Sequence, residues 1–375
     1  MKPILAMLGL ALAVSPVWSQ CHKLAEVNTA SPEGQLLQQA GQETDGAKKL
    51  VLLEQFVTQY PKHEAVGWVY EQMLAGYVKA GDGAKAMAIA DRLAGIPPEC
   101  VEVSQQSLKA AELTKDPDLI LKWSAKTAEL AQKVVASPKP QDADDVENWK
   151  ARVDYARQVN TYTEYSLYAS ALRTPDPVKQ IALLEALQQR NPKSEYFAKA
   201  VDTLFVAYQK SNQLDKAAAF AEKLVDSGQA SEDMLLVLAD DAVKKKDREK
   251  VHAYSAKLVE MMAAKPKPEG VADADWTRRK NTILGLAHYM SGKQYYEDKS
   301  FAEADKELQE ALPLVEGNAN IHTEVLYLLG YASYKLDKIQ EAANYYRACA
   351  AVKSPYQTLA TKNLTAIRGQ YHGVK

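Results

Sequence analysis

The chain has 375 residues, a quarter of them charged, with 46 Lys and Arg against 48 Asp and Glu, for a formal net charge of −2. That balance, without an Arg-rich stripe, excludes a surface built to neutralise nucleic-acid phosphates. Only 17 glycines occur, and the dominance of Ala, Leu, Lys, Glu and Gln points to helix rather than sheet.

The first element reads as an export signal. Lys2 supplies the positive region, Ile4 to Val14 is an uninterrupted apolar run, and Val17 and Ser19 are the small residues at −3 and −1 of a cleavage site that leaves Gln20 first. Residues 1–19 are therefore expected to be removed, placing the chain in a periplasm or outside the cell. The apolar run is too short to span a bilayer comfortably. Cys21 offers a second fate, lipidation of the mature N-terminus and outer-membrane anchoring, although Trp18 and Gln20 stand where a bacterial lipobox has Leu and a small residue. Cys100 and Cys349 are the only other cysteines. Three cysteines without CxxC spacing suggest no disulfide framework and no metal site.

Beyond the leader the chain repeats itself. LLEQFVTQYPKHE and LLEALQQRNPKSE place Pro61 and Pro192 131 residues apart. Without a gap, Leu53 pairs with Leu184, Glu54 with Glu185, Tyr77 with Tyr208, Lys85 with Lys216 and Leu93 with Leu224. Proline loops follow at Pro138-Lys139-Pro140 and Pro266-Lys267-Pro268, and Trp149 and Trp276 close the match, now 127 apart. Register is constant through periodic segments and slips at the loops, because an insertion inside a packed helix would rotate its apolar face away. The predicted organisation is an N-terminal segment and first helix over 20–46, a first module over 47–175, a duplicated module over 176–300, and C-terminal hairpins with a capping helix over 301–375. Each duplicated module reads as about four helices, a Pro-rich loop, and a longer helix beginning near Trp149 or Trp276. The loops 136–145 and 265–274 are candidate boundaries rather than disordered linkers.

Within the second copy, Phe197, Val201, Leu204, Phe205 and Tyr208 fall on one helical stripe, which Ser211-Asn212-Gln213 breaks. Ala217, Phe220, Ala221 and Leu224 form the next stripe, ended by Asp226-Ser227-Gly228. A further pair runs from about Glu232 to Lys245 and from Arg248 to Met262, putting Val251 34 residues after Ala217.

This helix–turn–helix period resembles the tetratricopeptide (TPR) repeat. Leu326, Leu329 and Gly330 match the first-helix pattern, and Ala342, Tyr346 and Ala350 the second-helix pattern; an earlier unit offers Gly292, Tyr295, Ala304, Leu308, Ala311 and Leu312. Small residues let two helices approach, and large ones fill the groove beside them. The resemblance implies an all-α fold, a right-handed α-solenoid of about eight helical hairpins from roughly residue 32 to 351, with a capping helix over Pro355 to Tyr371.

No constellation for catalysis stands out. The six histidines, His22, His63, His252, His288, His322 and His372, are scattered without metal-ligand spacing, and there is no nucleophile elbow or phosphate-binding loop. No cofactor or metal is expected. The carboxylate runs Asp142, Asp144, Asp145, Glu147 and Asp240-Asp241 read as solvated helix faces or helix starts. Tyrosine is enriched, with 20 against 5 phenylalanines. Tyr327, Tyr331 and Tyr334 share a first helix, Tyr289 and Tyr296 lie on the preceding one, and Tyr162, Tyr165 and Tyr168 lie on the matching helix of the earlier module. In proteins of the TPR kind the first helices line a concave groove. Tyr289, Tyr296, Tyr327, Tyr331, Tyr334 and Tyr162 are thus the candidate partner-binding residues; the alternative is that these rings simply pack between helices. The expected function is a non-enzymatic scaffold in a bacterial cell envelope that binds a protein or peptide. The alternatives are a lipid-anchored adaptor of outer-membrane or secretion machinery, and a glycan or small-ligand binder.

Overall fold

The computed structural model describes residues 21–24 and 27–371. The expected leader, Met1–Ser19, and its cleavage junction lie outside the described residues, as does His372. The all-α expectation holds: the described residues form seventeen α-helices and one 3-10 turn at Leu312–Leu314, with no strand. Seventeen is eight pairs plus a last helix.

The chain divides into two compact units, Met1–Ala207 and Tyr208–Lys375. The division falls within a helix rather than at either proline loop. In the first unit α1 (Pro32–Gln42), α2 (Gly46–Gln59), α3 (Val66–Ala80), α4 (Gly83–Leu93), α5 (Val101–Thr114), α6 (Pro117–Val135), α7 (Ala143–Arg173) and α8 (Pro177–Arg190) follow one another, and α9 (Glu195–Lys210) carries the chain to its end. The second unit continues with α10 (Leu214–Asp226), α11 (Glu232–Lys245), α12 (Arg248–Ala264), α13 (Asp273–Glu297) and α14 (Phe301–Ala311). It closes with α15 (Ala319–Lys335), α16 (Ile339–Ala350) and α17 (Gln357–Gln370).

Helices start where the sequence supplies an acceptor for the unpaired first-turn N–H groups. The side chains of Asp45, Asp82, Asp116, Asp142, Asp176 and Asp247 accept from the backbone of α2, α4, α6, α7, α8 and α12. Pro32, Pro117 and Pro177 occupy first-turn positions, where a missing N–H costs nothing. The ends are equally local. Gly81 ends α3 in the left-handed region at φ 75°, while α5 and α11 end on left-handed lysines, Lys115 and Lys246, both at φ 59°.

Packing inside each unit is that of a stack. From α1 to α8 and from α10 to α17 each helix touches the next, and alternate helices also meet: α3 with α5 and α5 with α7 in the first unit, α11 with α13 and α13 with α15 in the second. There is no single core. Each hairpin hides its apolar stripe against its neighbours, as repeat architectures require. Leu204, Ala217, Ala221, Leu329 and Ala342 are fully buried. A Cβ added at Gly330 would lie 2.8 Å from the Tyr346 ring, and one at Gly292 2.8 Å from Leu308, so both glycines stand at close approaches between helices.

The internal duplication reappears element by element. Helices α2 to α7 correspond to α8 to α13, so each copy holds six helices, not the shorter block the sequence suggested. The break between α11 and α12, a left-handed Lys246 followed by the Asp247 cap, falls where the sequence placed it, and Lys115 and Asp116 make the same break between α5 and α6. The final helix of each copy starts at Ala143 and Asp273, with the acidic residues ahead of Trp149 and Trp276 in its first turn, where the sequence reads a helix start. Matched residues do matched work: Lys85 lies over the Tyr77 ring at 5.2 Å and Lys216 over the Tyr208 ring at 5.7 Å.

Both proline loops are tied down. The Trp149 indole N–H donates to the Ser137 carbonyl at 3.2 Å and hydroxyl at 3.0 Å. In the second copy Lys265 donates to buried Glu232 at 2.5 Å, and Arg279 reaches Glu232 at 3.1 Å and Asp233 at 3.0 Å. These partners hold the Glu232 carboxyl below its ordinary range despite the opposing effect of burial.

The cysteine expectation needs correction. Cys21 and Cys100 form a disulfide across 79 residues of sequence, a pairing that spacing alone could not reveal because only the fold brings the N-terminal strap against the start of α5. Cys349 remains a thiol, buried, with its Sγ 3.4 Å from the Thr323 carbonyl; burial pushes its pKa up to about 11. Among the described residues no helix is long and apolar enough to cross a membrane.

Candidate functional site

In the first unit, α7 is long enough, at 31 residues, to extend past its hairpin partner. Its tyrosines therefore meet more than one neighbour. One set faces α5: the Tyr155 hydroxyl donates to Gln105 at 2.9 Å, and the Tyr162 hydroxyl to Glu112 at 2.6 Å. Burial and the nearby Glu112 carboxylate hold the Tyr162 phenol well above its usual range. The other set faces Tyr196 on α9, with ring centroids 5.6 Å away for Tyr165 and 5.9 Å for Tyr168. Edge and tilted contacts of this kind suit the aromatic quadrupole. Tyr165 is 43% exposed, which sets it apart from the half-buried Tyr162 and Tyr168.

Beside Tyr165 opens a cavity of about 460 Å³ where the α5–α6 turn meets the C-terminal end of α7. Ile120 and Ala169 are among its apolar lining residues, and Glu112, Lys115, Arg173, Asp176 and Lys179 line it with charge of both signs. Ser166 also lines it; this serine is 1% exposed, and its hydroxyl has no hydrogen-bond partner. A buried hydroxyl left unpaired is costly unless something arriving in the cavity satisfies it. Leu172, further along α7, is 49% exposed.

The candidate tyrosines of the second unit are gathered on α13 and α15. Tyr296 and Tyr331 meet at 5.4 Å between centroids, and Tyr327 stacks on Tyr356 at 5.1 Å. The Tyr289 hydroxyl donates to one oxygen of Glu324 at 2.8 Å, and Lys293 to the other at 2.8 Å. Tyr334 packs against the cluster of Leu326, Tyr346 and Leu364. All five are half-buried. Burial pushes the Tyr296 and Tyr356 phenols up to about 12. Burial also raises the Tyr289 phenol, helped by its bond to Glu324. At Lys293 burial acts downward, but the Glu324 bond prevails and the net shift is upward. These rings therefore serve interhelical packing and leave only their rims to solvent. Tyr162 belongs to the first unit and is not part of this group.

Other polar side chains have structural work. Asp142 caps α7, and Asp240 and Asp241 pair along their own helix with Lys244 and Lys245. His252 stacks on Tyr295 at 4.0 Å, and burial lowers its pKa. His288 contacts Glu307 at 2.8 Å. Sequence reasoning missed Arg190, which donates to Ser124 at 2.7 Å and Thr163 at 2.9 Å; the three lie on different helices, so no local pattern marks them. At the N-terminal strap, the Cys21 sulfur that lipidation would require is held in the bridge to Cys100.

No protein-family model and no curated protein matches the chain. Among solved structures it is similar to the apo form of RapI, at 12% identity and a TM-score of 0.35, covering 82% of each chain. It is also similar to NprR in complex with its cognate peptide NprX, at 13% identity and a TM-score of 0.30, covering 83% of this chain and 85% of that one. The P58(IPK) TPR domain gives 13% identity and a TM-score of 0.28, covering 92% of this chain and all of that one. Likeness this faint supports no statement about what the present chain does.

Proposed function

We propose that this chain is a non-enzymatic, exported interaction scaffold that binds a peptide or a segment of a partner protein on its first-helix faces. The observation that carries the reading is the α7 surface. Tyr165 stands 43% exposed between two tyrosine contacts, beside a cavity whose buried Ser166 hydroxyl has no partner. A rigid aromatic next to an apolar recess with an unused polar group is what a partner side chain can enter. The charged lining is mixed, with Lys115, Arg173 and Lys179 beside Glu112 and Asp176, so it can pair with a polar residue of either sign in the bound segment.

Export is supported by the leader-like N-terminus and by the Cys21–Cys100 bridge, since structural disulfides persist in oxidising compartments. Intact mass under non-reducing conditions checks this: the exported chain carries the bridge and no acyl group, and an acylated Cys21 would replace the soluble form with an anchored one.

The binding test is peptide selection against the immobilised chain. Selected peptides should carry an aromatic or aliphatic anchor, and should bind Tyr165→Ala and Ser166→Val at least tenfold more weakly. Unchanged binding by both variants, with helicity intact, would count against this surface.

A further inference from the structure

The N-terminal strap brings together side chains to which the scaffold reading gives no binding role. Among the described residues, the ligand atoms of Cys21, His22 and Glu71 all lie within 4.8 Å of one another. Cys100 is not one of that group, but its bond to Cys21 holds a second sulfur beside it. Two sulfurs, an imidazole nitrogen and a carboxylate oxygen are the donors a four-coordinate zinc ion takes.

His22 is set up as a ligand by its surroundings. Its Nε2 lies 3.2 Å from the Ile96 carbonyl oxygen. A carbonyl can only accept, so Nε2 carries a proton and Nδ1 is the nitrogen left for other chemistry. Nδ1 lies 2.6 Å from Glu71 Oε1, an approach that needs a shared proton between the two acceptors. The pair is a proton-filled version of a metal site, and the Nε2–H donation to a backbone carbonyl is the outer contact that metal-bound histidines make. The ring is further fixed by Gly67, where an added Cβ would come within 2.6 Å of His22 Cδ2. The backbone N–H of His22 also donates to Glu71 Oε1 at 2.7 Å, orienting the carboxylate. Access exists: His22 and Cys100 both line an apolar recess of about 260 Å³ that opens to solvent, and none of the three residues is fully buried.

We propose that Cys21, Cys100, His22 and Glu71 form a redox-gated zinc site. In the oxidised chain the disulfide withholds both sulfurs, and a proton bridges His22 and Glu71. A dithiol reductant opens the site: one of its thiolates attacks a protein sulfur, its second thiol resolves the mixed disulfide, and it leaves as a cyclic disulfide. The protein gains two electrons and two protons as two thiols. Zinc then binds the two thiolates, His22 Nδ1 and the Glu71 carboxylate, releasing both thiol protons and the proton shared by His22 and Glu71. The zinc form keeps the strap fastened where the disulfide held it, so either state closes the N-terminus onto α3 and α5.

The test is zinc titration of the full chain against a chromogenic chelator, with and without prior reduction by a dithiol that is then removed. The reduced chain should bind one zinc ion, and the oxidised chain should bind at least a hundredfold more weakly. Glu71→Gln and His22→Gln should each weaken binding at least tenfold, and Cys349→Ser should change nothing. Cobalt provides a second readout, a thiolate charge-transfer absorption that disappears in Cys100→Ser; circular dichroism confirms that each variant is folded. Equal binding by oxidised and reduced chain, no binding by the reduced chain, or cobalt spectra without thiolate absorption would each overturn the proposal.

Discussion

Tyr162 and Tyr289 hold equivalent positions 127 residues apart, as Trp149 and Trp276 do, and each donates its hydroxyl to a glutamate on an adjacent first helix. Tyr162 reaches back to Glu112 on α5 at 2.6 Å, whereas Tyr289 reaches forward to Glu324 on α15 at 2.8 Å. The duplicated tyrosine keeps its task, tying successive first helices together, while its partner changes side. Phenylalanine at either position should keep the ring packing and remove one charge-assisted hydrogen bond. The expected loss is about 1 kcal/mol, because both pairs are partly solvated. Hydrogen exchange should show it first at α5 and α7 for Tyr162→Phe, and at α13 and α15 for Tyr289→Phe. A cycle with Glu324→Gln should recover the coupling for Tyr289.

Alkaline pH should loosen the second unit. The Tyr296 and Tyr356 phenols are pushed up to about 12 in the folded chain, above the unfolded value of about 10. Their contribution is therefore complete below about pH 10 and is lost as pH rises through about 12, because the unfolded chain releases its protons first. Tyrosinate absorbance and helicity followed together should show these groups ionising late, with loss of structure. Early ionisation at constant helicity would mean that the rings are open to solvent.

The close approach at Gly330 predicts opposite outcomes for two alanine substitutions. A Cβ at Gly330 meets the Tyr346 ring at 2.8 Å, whereas one at Gly369 on α17 meets nothing within 4 Å. Gly330→Ala should cost about 1–3 kcal/mol through overpacking. Gly369→Ala should stabilise by about 0.5–1 kcal/mol through helix propensity. Urea unfolding of the two variants against the parent chain checks the sign of each.

The matched lysines that end α5 and α11 carry a backbone cost. Lys246 sits at φ 59°, a region that glycine enters freely and other residues enter at a cost of about 1 kcal/mol or more. Lys246→Gly should raise stability by roughly that amount, offset in part by the freer unfolded chain. A fall in the unfolding midpoint would contradict the left-handed cap.

Much of this architecture was written in local patterns. The stripe from Phe197 to Tyr208 is buried at Phe197, Leu204, Phe205 and Tyr208, because a 3.6-residue period and a packed helix face are one constraint seen twice. Gly330 opposite Tyr346 was legible for the same reason. The Cys21–Cys100 bridge was not, since nothing within 79 residues of sequence says that the N-terminal strap returns to α5. The site was legible only in kind. Tyrosine enrichment drew attention to α7, α13 and α15, but sequence cannot distinguish the exposed Tyr165 from Tyr289, whose hydroxyl Glu324 takes up. That distinction depends on the contacts α7 makes along its whole length.

The central claim is that the α7 surface around Tyr165 is where a partner docks. The most direct measurement places a photo-crosslinking amino acid at position 165 in the exported chain and irradiates living cells. A discrete protein adduct is expected at position 165 and not when the crosslinker replaces Val271, another exposed residue but one on a proline loop. The same adduct from both positions, or none from position 165, would contradict it.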